Sequence, residues 1–193
     1  KHIDSINNFK VPFVIALNRF YTDTDEEIEA VMNWAKKNDY DISLSEVFAK
    51  GSEGGLDLAN KVVKKAMSMN KNKPLYALDL SVKEKIEAIA MKIYGAKGVV
   101  YTEKAEEQIK RFNELGWNKL SICMAKTPLS LSDDASLKGK PKDFEITVRE
   151  FKPSVGAGFI VALTGAVMTM PGLPKHGAYE NMDVIDQKII GLF

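Results

Sequence analysis

Between Val11 and Ala66 the chain reads as strand, helix, strand, helix, and this alternation limits its possible folds more than any other feature of the sequence. Val11-Pro12-Phe13-Val14-Ile15-Ala16-Leu17 is continuously apolar and β-branched, as a strand covered on both faces tends to be. Thr24 followed by Glu27 forms a capping-box pattern, and Ile28, Val31, Met32 and Ala35 then recur at helical spacing, predicting a helix to about Asn38. A second strand is predicted over Tyr40 to Leu44, and Leu58, Val62, Val63 and Ala66 mark the apolar stripe of a further helix. A chain that returns through a helix re-enters its sheet in the same direction, so the two strands should pair in parallel. Ahead of them, Ile3, Ile6 and Phe9 space a short helical stripe.

The rhythm continues and then changes. Leu75 to Leu80 reads as a strand, Ser81 with Glu84 caps a helix ending at Gly95, and Val99-Val100-Tyr101 is another strand. Glu103 to Leu115 is a helix closed by Gly116, and Lys119 to Ala125 is a strand. Residues 127 to 143 are then a long Ser/Asp/Lys/Gly/Pro loop, followed by strands over Glu145 to Phe151, which alternates polar and apolar, and Phe159 to Leu163. Thr169 to Asn181 is a Pro/Gly loop, and Lys188 to Phe193 is a last strand. The expected fold class is α/β, with a small parallel-sheet α/β unit over residues 1–90 and an α+β unit over 91–193 that ends in antiparallel strands. The boundary falls between Lys71 and Gly95.

Several function classes are disfavoured by the residues themselves. The formal net charge is +1 with Lys and Arg scattered among Asp and Glu, so the basic footprint of a nucleic-acid partner is missing. No apolar run approaches the ~20 residues of a membrane span, and the start lacks a secretory signal. Cys123, inside an apolar run, reads as a small buried hydrophobe in a reducing compartment, so a soluble cytoplasmic protein is expected. His2 and His176 sit in no ligand-spaced cluster, and no metal site is expected. Residue 1 is Lys, not Met, so the chain is expected to be part of a longer polypeptide whose first unit continues upstream. Gly51-Ser52-Glu53-Gly54-Gly55 lacks the Lys-Ser/Thr ending of a Walker loop and reads as the turn that opens a helix, with anion binding the less favoured use. Gly156-Ala157-Gly158 precedes a strand where a dinucleotide fingerprint needs a helix, and is expected to join two strands tightly.

What remains is a set of aromatic residues just beyond two strand ends. Phe20 and Tyr21 follow the first predicted strand and Phe48 follows the second, in loops that should open at one edge of a parallel sheet, where α/β proteins bind ligands. Rings in such loops can face a flat heterocycle from two sides, or they can pack on neighbouring helices, and the residues alone weigh these two readings evenly.

At Val14-Ile15-Ala16-Leu17-Asn18-Arg19-Phe20 and Thr22-Asp23-Thr24 the sequence resembles formate–tetrahydrofolate ligase. The likeness continues through Leu44-Ser45-Glu46-Val47-Phe48-Ala49-Lys50-Gly51, Tyr94-Gly95-Ala96, Cys123-Met124-Ala125-Lys126-Thr127, Gly156-Ala157-Gly158-Phe159 and Met170-Pro171-Gly172-Leu173-Pro174-Lys175, and ends in Gly191-Leu192-Phe193. The resemblance implies an enzyme that uses ATP with magnesium to phosphorylate formate and passes the formyl group to N10 of tetrahydrofolate. It implies that the phosphate-binding part lies upstream, that no catalytic residue falls in this chain, and that the parent enzyme is a homo-oligomer acting on small molecules. In that family the pterin lies between an Asn-Arg-Phe-Pro loop and a Glu-Val-Trp loop, which correspond here to Phe20 and Phe48, with Tyr21 and Leu44 beside them. Tyr21 replaces the family's usual proline and Phe48 its usual tryptophan. Asn18, Arg19, Lys50 and Gly51 would support these loops, and the Gly139-Lys140-Pro141 turn is a candidate nucleotide contact through Gly139 and Pro141. The alternative is a non-catalytic folate-binding or assembly-stabilising module with a flavodoxin-like α/β core.

Overall fold

The computed structural model describes residues 1–68, 72–165 and 175–191. Its first part pairs β1 (Ile15–Asn18) with β2 (Ile42–Ser45) in parallel, in the register Ile15 opposite Ile42 to Asn18 opposite Ser45. A short helix, α1 (His2–Asn7), precedes β1, and α2 (Asp25–Lys37) connects the strands. Helix α2 starts where the sequence places it, because Thr24 accepts from the Glu27 amide while Glu27 reaches back to the Thr24 amide. After β2 come a single turn, α3 (Val47–Lys50), a 3₁₀ stretch over Gly51–Gly55 and α4 (Leu56–Ala66).

A polar anchor fixes α4 to β2. Ser43 is fully buried and donates to Asp57, which also receives Lys61 Nζ at 2.7 Å, while the same amine donates to the Ile42 carbonyl at 2.8 Å. The hydrogen bond from Lys61, then that from Ser43, hold the Asp57 carboxyl below its usual pKa. Strand β1 is shorter than expected: ladder pairing begins at Ile15 and leaves Val11 to Val14 outside it, in keeping with Pro12, which has no N–H to give.

The second part is a four-stranded sheet in the order β3-β5-β6-β4, built from β3 (Gly98–Tyr101), β4 (Ser121–Ala125), β5 (Glu145–Ser154) and β6 (Phe159–Thr164). The β3/β5 and β4/β6 pairs are parallel and the central β5/β6 pair is antiparallel, so the helix-alternating order does change after residue 143 and yields a mixed sheet. The connection from β5 to β6 is a 3₁₀ turn over Val155–Ala157 closed by Gly158 in the left-handed region, a strand-to-strand turn as the glycines predict. Helices α5 (Val82–Ile89) and α6 (Glu103–Glu114) pack on the sheet. Val82 and Ile86 from α5, Ala105, Ile109 and Phe112 from α6, and Val148, Phe151, Ile160 and Ala162 from the sheet form the main core. The Phe112 and Phe151 rings meet edge-on at 5.6 Å. A capping box of Ser81 and Glu84 starts α5, which runs on as a π-helical turn over Ala90–Tyr94 and stops at Gly95, φ +85°.

Two expectations need correction. Leu75 to Leu80 forms bends and turns, not a strand, and the Leu80 amide closes a local turn onto the Ala77 carbonyl at 3.3 Å. From this connector the Tyr76 hydroxyl accepts the outward Ile122 amide of β4 at 3.0 Å. Cys123 is exposed, not buried: β4 lies at the sheet edge, and the pleat that turns Ile122 into the core turns Cys123 out. The expected last strand is described over Lys188–Ile190 as β8, paired in an antiparallel hairpin with β7 (Asp183–Ile185), while Leu192 and Phe193 lie outside the described residues. The part of the Pro/Gly loop from Thr169 to Pro174 also lies outside them, as does Lys71. No helix among the described residues is long and apolar enough to cross a membrane.

Candidate functional site

The parallel register carries β1 and β2 to the same edge, and the chain leaves both strands there. The Arg19 amide donates to the Ser45 carbonyl at 3.0 Å, which extends the pairing one step past β1. The chain then turns tightly: the Phe20 amide donates to the Asp23 carboxylate at 2.8 Å and the Asp23 amide to the Phe20 carbonyl at 3.1 Å. This turn leaves Phe20 56% and Tyr21 87% exposed. Across from it, α3 displays Phe48, 74% exposed. These three exposed rings stand together at one strand edge, where they are not core residues.

Charged side chains brace the two loops. The Arg19 guanidinium donates to Asp25 at 2.8 Å and stands 3.7 Å from the Glu46 carboxylate, which also pairs with Lys50 at 2.6 Å. The Glu46 amide donates to the Gly54 carbonyl at 3.1 Å, so the 3₁₀ stretch folds back beneath α3. Gly51, at φ +62° and ψ −148°, occupies backbone space open essentially to glycine alone.

A recess of about 250 Å³ is lined by Arg19, Phe20, Tyr21, Glu46, Phe48 and Ala49, and a smaller one of about 100 Å³ also includes Asn18. A larger open cavity of about 740 Å³ is shared between Tyr21, Phe48 and Ala49 of the loops and Gln187, Lys188 and Ile189 of the hairpin. The structure therefore brings Phe20, Tyr21, Phe48, Asn18 and Arg19 together. Leu44 is half-buried in β2 opposite Leu17, and neither it nor Lys50, which pairs with Glu46, nor Gly51 lines these recesses. Gly139, at φ +70°, and Pro141 lie apart from all three recesses, in a turn whose Lys140 stands 3.6 Å from Asp4 at α1.

Sequence reasoning missed Glu46 as a lining residue and the whole hairpin wall. Glu46 lies within the Leu44–Gly51 stretch, but the hairpin is far away along the chain and its turn, Asp186-Gln187, lacks the glycine that signals a two-residue hairpin. The arrangement offers flat stacking surface, one carboxylate acceptor and cationic donors, which suits a planar, hydrogen-bonding heterocycle. The family model described as "Formate--tetrahydrofolate ligase" matches residues 1–193 of the chain.

Proposed function

The chain belongs to the formate–tetrahydrofolate ligase family, and from that premise we propose that the recess beyond β1 and β2 holds the pterin ring of tetrahydrofolate. The observation that carries the reading is the exposure of Phe20, Tyr21 and Phe48 around one recess at the ends of two parallel strands. A pterin is a flat π-system, and each stacked ring contributes about 1 kcal/mol beyond its buried area. The Glu46 carboxylate at the same recess is a suitable acceptor for the ring's N–H groups. Stacking does not itself lower the barrier to formyl transfer; its value is to hold N10, a weakly nucleophilic amine, in line with the activated formate, where proximity can contribute several kcal/mol.

The Gly51–Gly55 turn does not suit the triphosphate that the family consumes. The turn over Gly51–Gly55 leads into a helix whose first turn carries Asp57, and a carboxylate there opposes a bound polyphosphate. We therefore place ATP, its magnesium and the formyl phosphate on chain outside these residues, and expect the 193-residue protein to hydrolyse no ATP and to form no 10-formyltetrahydrofolate. Ligase turnover by the purified chain would refute that placement. Two units are also proposed, with the boundary just ahead of α5, because Val82 and Ile86 belong to the core of the four-stranded sheet. A role in stabilising a homo-oligomer is a second reading, supported by the apolar side chains Val31 and Trp34 on α2 and Val62 and Val63 on α4, all left exposed.

The pterin reading is tested by Phe48→Ala. The apparent Kd for tetrahydrofolate should rise about tenfold, the scale of one lost stacking contact. Melting temperature should hardly move, because the ring is mostly exposed already. Phe20→Ala should behave alike. A drop in melting temperature with unchanged folate affinity would show that the rings are packing residues.

A further inference from the structure

We propose that the hairpin β7–β8 forms the second wall of this site and that Lys188 pairs with a carboxylate of the substrate's glutamate tail; the assignment rests on the pterin reading of the aromatic recess. Size supports it. The recess of about 250 Å³ suits a two-ring heterocycle, and the cavity of about 740 Å³ shares Tyr21, Phe48 and Ala49 with it, so whatever extends from a stacked ring passes into the larger space. Tetrahydrofolate extends in that way, through an aminobenzoyl arm that is flat and apolar to a glutamate that is anionic.

The cavity walls match this sequence of chemistry. Tyr21 and Phe48 supply apolar surface for the aryl arm, and Lys188 of β8, which lines the same cavity, supplies a cation. Lys188 forms no ion pair among the described residues, whereas the cations at the ring end, Arg19 and Lys50, are already engaged by Asp25 and Glu46. The hairpin is held so as to present these groups. Its turn residues Asp186 and Gln187 both adopt left-handed backbone, φ +48° and +63°, the geometry of a tight two-residue turn. Past β8, Gly191 lies so close to Asn181 that an added Cβ would stand 2.0 Å from the Asn181 carbonyl oxygen, which pins the end of the hairpin to the preceding chain.

Calorimetric titration of the 193-residue protein with two probes tests the assignment: tetrahydrofolate, and methyltetrahydropterin, which has the ring without the tail. Lys188→Glu should weaken tetrahydrofolate about tenfold or more, the scale of a lost charge-assisted contact with a repulsion added, and leave methyltetrahydropterin unchanged. Lys188→Arg should retain most of the affinity. Unchanged tetrahydrofolate binding in Lys188→Glu, or equal weakening of both probes, overturns the tail assignment. In that case Phe48→Ala still separates the two ideas: if it weakens both probes the ring site stands, and if it affects neither, or the wild type binds neither, both assignments fall.

Discussion

Replacing Gly54 with alanine is expected to lower the stability of the chain by about 2–3 kcal/mol, within the range for forced overpacking, and to weaken tetrahydrofolate more than removal of the Phe48 ring does. The cause is local and rigid. A Cβ on Gly54 would lie 2.5 Å from the Glu46 carbonyl oxygen, 2.6 Å from its carbon and 3.0 Å from the Val47 amide nitrogen. These are backbone atoms, so no rotamer change relieves the overlap; the 3₁₀ stretch and α3 must separate, and the hydrogen bond from the Glu46 amide to the Gly54 carbonyl is lost. Phe48 and Glu46 then leave their positions together. For a chain of this length the stability loss corresponds to a fall in melting temperature of roughly 4–12 °C. Gly156→Ala is the matched control, since a Cβ there meets nothing within 4 Å. Equal melting temperatures for the two variants would show that the loop yields freely and that α3 is not held from beneath.

The second large effect concerns the other half of the chain. Lys85 is fully buried on α5, with its amine donating to the Asn118 carbonyl at 2.6 Å and the Leu120 carbonyl at 3.1 Å. Lys85→Ala should cost about 2–5 kcal/mol, because it opens a cavity and leaves two carbonyls without their donor. Lys85→Met keeps most of the stem and should cost less, about 1–3 kcal/mol. Burial pushes the Lys85 pKa down, against the opposing pull of the Asp79 charge. Between that lowered value and the unfolded value of about 10.4 the unfolded chain binds more protons than the folded one, so stability due to this group rises with pH across the interval. Denaturant titrations at a series of alkaline pH values should show that rise in the wild type and a flatter profile in Lys85→Met. Identical slopes would mean that the amine is as well solvated as in the unfolded chain.

The parts of the fold legible in the sequence were those fixed by neighbours along the chain. Thr24 with Glu27 and Ser81 with Glu84 place the starts of α2 and α5 because both halves of each cap lie within one turn. The clustering of Phe20, Tyr21 and Phe48 was legible because each lies within a few residues of a strand end, so the parallel pairing alone brings them together. Features that depend on distant partners were not. Leu75 to Leu80 has strand-like composition, but its place is beside β4, where it meets the edge with a side chain instead of a ladder. Cys123 stands in an apolar run that suggests two covered faces, and only its exposure in the folded chain shows that one face is open there. Gln187, Lys188 and Ile189 carry no motif; they reach the aromatic loops only through the folded chain.

The contact between Tyr76 and β4 bears on how the protein behaves in concentrated solution. An edge strand offers its outward amides as a template on which a strand from another molecule can grow. At Ile122 that amide is already taken, and its acceptor is a phenol at the end of a side chain, which has no further peptide groups beside it to continue the pairing. An incoming strand would have to expel Tyr76 before it could lay down bonds at the middle of β4, so the connector ahead of α5 acts as a terminator of sheet growth, guarding against self-association through this edge.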